Sequence, residues 1–226
     1  MLSLNEVEST VWKAARGTGL AWGIAEELGQ AARWMAAHGL DWAQPVVTCL
    51  AEVERAKGHV SPPVLIDNVW QPTTGSAVLS PVLSPVLCGP LISDLAFQLA
   101  EAGAALSFGA MARPNLLLPF VARAAEDLAI GLSLSWAGAE WFCLGGEIRY
   151  TTLEFPPLAQ SVAIGNLGTG LPGALRGEPL RAAGPQRGTI GRELLERLEN
   201  WVRLTYVLAS AESRLAGAGA GLTDND

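Results

Sequence analysis

The residues best suited to chemistry lie late in the chain. Arg176, Arg181, Arg187 and Arg192 stand there against a single acid, Glu178. Gly184, Gly188 and Gly191 carry no Cβ and let backbone amides come close to a ligand. The segment feeds a helix, whose first N–H groups and dipole attract anions. A carboxylate or phosphate held by Arg187, the Thr189 hydroxyl and those amides is the expected chemistry. The competing reading is a solvated loop whose arginines pair with surface carboxylates.

A second set follows. Tyr206, Ser213 and Arg214 precede the glycines Gly217, Gly219 and Gly221, and the chain closes on Asp224-Asn225-Asp226. Arg214 offers a planar two-pronged donor to an anion. Asp224 and Asp226 supply the oxygen ligands that Mg²⁺ takes. The arrangement reads as a lid or clamp over a small anionic metabolite, or else as a frayed terminus. Tyr206 or Glu212 is the first choice for a general acid or base. A third pattern, Cys143, Glu147, Arg149 and Tyr150, places Glu147 and Arg149 on one strand face, where they are expected to pair with each other.

Several chemistries lack their signatures. The two histidines, His38 and His59, belong to no metal-ligand pattern, so no histidine-based metal site is expected. His38 sits beside a helix C-terminus, where a cation is favoured. No G-x-G-x-x-G opens a βαβ unit, and no Walker A or G-x-S-x-G motif occurs. Cys49, Cys88 and Cys143 are widely spaced among apolar neighbours, as buried free thiols usually are, and a reducing cytoplasm fits them. The opening Met1-Leu2-Ser3-Leu4-Asn5-Glu6 has no basic stretch and does not read as a signal peptide. With 22 acidic and 15 basic residues the net charge is −7. That field opposes nucleic-acid phosphates and anionic membranes.

These groups must be positioned by the elements around them. The 226 residues are 50% hydrophobic and 16% charged, which suits a single packed domain with a helical lobe over 1–60 and an α+β part over 61–226. Ser3 and Glu6 form a capping box ahead of a first helix that Gly17 and Gly19 end. Helices over about 22–38 and 45–57 complete a three-helix unit. From Asn68 to Ser93 no residue is charged, but Pro72, Pro81, Pro85 and Pro90 forbid a membrane span. The repeated Val-Leu-Ser-Pro units there read as an extended, buried connector, or as a ligand for a proline-recognising partner.

A helix is expected over 90–101, a strand over 104–110, and a helix over 114–128 with Pro119 as a breaker signal. The alternation of Gly131 to Trp136, the turn at Ala137-Gly138 and the return over Glu140 to Leu144 spell a hairpin, followed by strands over 147–153 and 160–164. Residues 167–191 read as loop. A long helix over 190–215 follows, with Leu194, Leu198, Trp201, Thr205 and Leu208 as its stripe. Helices at both ends and antiparallel or mixed strands between them give an α+β fold.

The opening Ser3-Leu4-Asn5-Glu6-Val7-Glu8, then Lys13-Ala14-Ala15-Arg16-Gly17, Trp22-Gly23 with Ala25-Glu26-Glu27, and Ala31-Ala32-Arg33-Trp34 resemble an uncharacterised bacterial family known only as a domain of unknown function. The end, Tyr206-Val207, Ser213-Arg214, the Gly-Ala alternation and Asp224-Asn225-Asp226, resembles the same family's closing signature. The resemblance implies that the terminal residues belong to the family's design. It implies no activity. Two functions stay open: a protein that binds or turns over a small anionic metabolite, and a non-catalytic accessory subunit with a protein partner or a second copy of itself.

Overall fold

The computed structural model describes residues 1–73, 82–169, 177–181 and 187–206. Within them the chain runs β1 (Leu2–Ser3), α1 (Leu4–Gly17), α2 (Trp22–Ala37), α3 (Ala43–Arg55), β2 (Val64–Ile66), β3 (Val69–Gln71), α4 (Pro85–Asp94), α5 (Ala96–Leu99), β4 (Ala105–Phe108) and β5 (Met111–Ala112). A 3₁₀ turn at Pro114–Leu117 leads into α6 (Leu118–Leu128). Then come β6 (Gly131–Trp136), β7 (Ala139–Leu144), β8 (Glu147–Tyr150), β9 (Leu158–Ala159), β10 (Val162–Gly168), β11 (Glu178–Pro179), β12 (Arg187–Gly188) and α7 (Arg192–Arg203). This is an α+β fold with helices at both ends.

The capping box forms as expected. The Ser3 N–H donates to Glu6 Oε2 at 2.7 Å, and the Glu6 N–H donates to Ser3 Oγ at 3.3 Å. α1 then buries Leu4, Val7, Val11, Ala14 and Ala15. It meets α2 closely because Gly29 has no side chain: a Cβ there would stand 2.9 Å from the Glu8 carbonyl oxygen. α7 packs on α1 and α3, so the last described helix returns to the first helices. Trp201 lies between them, and its indole N–H donates to Glu54 Oε1 at 2.8 Å.

Among the described residues eight strands form one mixed sheet in the order β11-β8-β7-β6-β10-β4-β3-β2. β3 and β4 are parallel and every other pair is antiparallel. Alternation decides its faces. Leu132, Leu134 and Trp136 of β6, Trp141 and Cys143 of β7, and Val162 and Ile164 of β10 are buried. α6 lies across β6 and β7. Ser133, Ser135, Phe142 and Glu140 take the opposite parity and are half-buried or exposed.

Four expectations are corrected. Residues 85–94 are helix, not an extended connector, and the helix expected over 90–101 is instead α4 with the short α5. Pro85 stands at the first turn, where its fixed φ suits a helix and no N–H is needed. Pro90 lies inside and forfeits one backbone bond. Burial of Val86, Cys88, Gly89 and Ile92 offsets that loss. The first Val-Leu-Ser-Pro unit, residues 78–81, lies outside the described residues.

Secondly, Val64–Ile66 and Val69–Gln71 form a hairpin, in a stretch where the sequence pattern assigns no strand. Thirdly, 167–191 is not all loop: β10 runs to Gly168, and Glu178–Pro179 and Arg187–Gly188 pair with neighbouring strands. Fourthly, the last helix ends at Arg203, not near 215. The amides of Leu204, Thr205 and Tyr206 reach back three residues rather than four, to Trp201, Val202 and Arg203, which tightens and closes the helix. Residues 207–226 lie outside the described residues. The breaker Pro119 falls in the first turn of α6, where it costs nothing, after a separate 3₁₀ turn.

Candidate functional site

The α3 C-terminus, the chain just beyond it, the base of the β2–β3 hairpin and the N-terminus of α4 enclose a cleft of about 230 Å³. Four separate segments supply its walls. Val53 and Ala56 come from α3 and the residue that caps it; Val60 and Pro63 from the following turn; Pro72 and Thr73 from the exit of β3; and Leu83, Ser84 and Leu87 from the start of α4. Backbone bonds hold these walls. The Thr73 hydroxyl donates to the Pro62 carbonyl at 2.5 Å and closes the hairpin base. The Leu83 N–H donates to the Ala110 carbonyl, and Leu83 in turn accepts from the Ala112 N–H, which ties the α4 entry to β5.

The polar groups of the cleft are few and mostly cationic or hydroxylic. Arg55, His59, Ser61, Thr73 and Ser84 line it, with Glu52 as its acid. Arg55 stays 4.0 Å from Glu52 and is mostly exposed, so that pair is loose. Ser84 precedes α4 in the N-cap position, yet its hydroxyl makes no capping bond. Cys88 closes the floor. Burial pushes its thiol up to about 12, so at neutral pH it is a packed apolar group and not a nucleophile. Burial does the same to Cys49 and Cys143, as their apolar neighbours led us to expect. No hydrogen bond among the described residues links His59 to a carboxylate. The cleft has the makings of a binding pocket, with apolar walls and a few convergent polar groups.

A second recess, about 370 Å³, lies between α2, α4–α5 and α6. Its inner group is Glu27. One carboxylate oxygen, Oε2, is fully buried and has no hydrogen-bond donor among the described residues. Burial, and then the neighbouring Asp94 charge, hold its carboxyl above the usual carboxylate range, against a weaker pull from Arg123. Arg123 itself turns to Gln30 at 2.9 Å and Asp127 at 3.7 Å. Among the described residues no group of histidine, cysteine, aspartate and glutamate is clustered as a metal site.

The residues singled out from sequence fall elsewhere. Arg187 is exposed on β12, opposite Ser3 of β1, where its charge helps hold the Glu6 carboxyl low. Gly188 meets protein rather than offering an open amide: a Cβ there would lie 2.7 Å from Val7 Cγ2 and 3.0 Å from Trp42 Nε1. Thr189 is exposed before α7, and Tyr206 is 64% exposed beyond it. The helix between them spans about 18 Å, so these two do not meet. Ser213, Arg214, Gly219, Asp224 and Asp226 lie outside the described residues, as do Arg176, Gly184 and Glu212. Glu147 and Arg149 pair at 2.8 Å, as their spacing predicts. His38 caps α2, with Nδ1 2.8 Å from the Trp34 carbonyl and its ring stacked on Trp34.

The cleft residues carry no sequence signature, because they come from four segments and include only one histidine. The closest hint was the cluster of prolines at 62, 63, 72 and 85, which marks the chain reversals around the cleft.

Residues 2–54 match the family model described as Protein of unknown function (DUF3726). The match covers α1, α2 and nearly all of α3, the segment that carries the opening motifs. No curated protein matches the chain. Among solved structures, the crystal structure of malate dehydrogenase from Entamoeba histolytica is similar with a TM-score of 0.43 and 10% identity, over 66% of this chain and 44% of that one. The chain therefore spans less than half the length of that enzyme. Among the described residues no helix is long and apolar enough to cross a membrane.

Proposed function

We propose that the protein binds a small anionic molecule with an apolar body in the cleft between α3 and α4. One observation carries the reading. An apolar pocket of about 230 Å³ has its polar groups gathered as Arg55, His59 and the uncapped Ser84 hydroxyl at the start of α4. Arg55 supplies a fixed cation and a bidentate fork. The first turn of α4 adds the positive end of a helix dipole beside it. Val53, Ala56, Leu83 and Leu87 would cover the apolar part of such a ligand. The cysteine at the floor is not ionised, so binding rather than thiol catalysis is the chemistry these residues support.

The C-terminal tail enters through its anchor. α7 is fastened to α3 at Glu54, the residue before Arg55, so the chain leaves the described structure from a helix tied to the cleft wall. A contribution of Arg214 to the same anion is part of the proposal.

A thermal-shift screen over aliphatic carboxylates and phosphate esters tests it. A ligand at a hundred times its Kd adds about 2.7 kcal/mol of stability. The shift is expected in the wild type and absent in Ala56→Phe, which fills the cleft, and in Arg55→Ala for charged ligands alone. Arg214→Ala is expected to reduce the shift if that residue contributes, and a chain truncated after Leu215 tests the terminal acids separately. If no compound shifts the wild type, or if Ala56→Phe retains the full shift, the cleft is not the binding site.

A further inference from the structure

The eight-stranded sheet ends in two different ways. At one edge β11 is Glu178–Pro179, a charge and a residue without an N–H, two devices that stop a strand from pairing onward. At the other edge β2 is Val64–Ile66, three aliphatic residues. Val64 is 37% exposed, Leu65 55% and Ile66 49%. Neighbouring residues on a strand point to opposite faces, so both faces of β2 are bare. The hairpin overhangs the sheet: β3 pairs with β4 only through Val69 and Trp70. Among the described residues no strand lies beyond β2.

The turn fixes what this edge offers. Asp67 and Asn68 both have positive φ, 49° and 60°, the type I′ geometry of a two-residue hairpin. That turn makes Ile66 and Val69 a hydrogen-bonded pair. Pairs alternate along an antiparallel ladder, so Leu65 and Trp70 are the non-bonded pair. The N–H and C=O of Leu65 therefore point away from β3. The next outward-facing position is Pro63, which has no N–H. The free edge holds one complete donor–acceptor couple, in the middle of its exposed aliphatic run.

We propose that this edge pairs antiparallel with the same edge of a second copy, about a two-fold axis at Leu65. A copy fits where a longer strand would not. It needs only the one couple that Leu65 provides, and it presents the same interruption at its own Pro63. The axis sets Leu65 on Leu65 with both bonds exchanged, Val64 on Ile66, and Asp67 opposite Pro63. No carboxylate meets a carboxylate there, although each chain carries a net charge of −7. Such self-complementarity is the mark of a two-fold interface. The patch is small, so the dimer is weak and depends on concentration.

Site-specific cross-linking of the full chain tests the register. A hydrogen-bonded antiparallel pair sets its Cα atoms about 5.5 Å apart, within reach of a disulfide. The three native cysteines are buried and do not compete. Leu65→Cys is expected to give a covalent dimer on mild oxidation. Val64→Cys alone gives none, but it cross-links to Ile66→Cys when the two variants are mixed. Sedimentation of the wild type shows a monomer–dimer equilibrium, and Leu65→Lys weakens it about tenfold or more. Its thermal unfolding should otherwise be unchanged, because Leu65 is exposed. Equal cross-linking at 64, 65 and 66, or a wild type that stays monomeric at every concentration, overturns the proposal.

Discussion

The indole N–H of Trp201 donates to Glu54 Oε1 at 2.8 Å, and through this bond the last described helix holds the helix that walls the cleft. The contact is reinforced from α1, where a Cβ at Gly17 would stand 2.0 Å from the Trp201 carbonyl oxygen. Trp201→Phe keeps most of the buried ring and loses the bond to a charged acceptor. The expected loss is about 1–2 kcal/mol by urea unfolding. Glu54→Gln keeps an oxygen acceptor and should lose less. Equal stability of Trp201→Phe and wild type would show that the bond adds nothing.

Gly89 of α4 faces the Phe120 ring of α6, and a Cβ at position 89 would lie 2.3 Å from Cε2. Gly89→Ala must push the two helices apart or turn the ring. Overpacking of this kind costs about 1–3 kcal/mol. Gly89→Ala combined with Phe120→Leu should lose less than the sum of the two single changes, since leucine vacates the space the methyl needs. Calorimetric melting of the four proteins reads the coupling.

Ser3→Ala removes the N-cap of α1. The expected loss is about 1 kcal/mol, or a Tm lower by roughly 2–4 °C. The backbone N–H of Ser3, then its hydroxyl, holds the Glu6 carboxyl below its ordinary range. A carboxyl lowered by folding stabilises the fold above its unfolded pKa, and that contribution is lost as pH falls through the folded value. The gap between Ser3→Ala and wild type should therefore narrow in acid.

Glu27 has the opposite sign. Burial and Asp94 raise its carboxyl, so folding favours the protonated form. Its contribution is fully present below the unfolded pKa and is lost as pH rises through the folded value. At neutral pH the ionised group is a burden, softened by solvent because the side chain is only partly buried. Glu27→Gln is expected to raise the Tm at pH 7 by about 1–3 °C, with the difference vanishing in acid. A lower Tm for Glu27→Gln at pH 7 would mean that an unseen donor serves that oxygen.

Local chemistry decided which parts of the fold were readable from the sequence. The Ser3–Glu6 box announces α1, because a cap is satisfied within three residues. The alternation over Gly131 to Leu144 announces β6 and β7, because each residue's face is set by its neighbours. Pro85 and Pro90 misled, since proline spacing describes a backbone preference and α4 is held by burial against α6 and α2. Val64–Ile66 is too short for its period to show. The cleft was hidden because its walls meet only after folding. Arg187 drew attention as one of several arginines near glycines, but Gly188 beside it is small to fit Val7 and Trp42, not a ligand.

The three sealed thiols have a practical consequence. Cys49 lies in α3, Cys88 in α4 and Cys143 in β7, one among the N-terminal helices, one in the cleft floor and one in the sheet. With each pushed up to about 12, an alkylating reagent meets no thiolate while the chain stays shut. Each sulfur is then a separate stopwatch, started only when its own neighbourhood breathes. Read by peptide mass, the three clocks would rank how often the helices, the cleft floor and the sheet come ajar. A cleft ligand should slow Cys88 well before it touches the pace of Cys143.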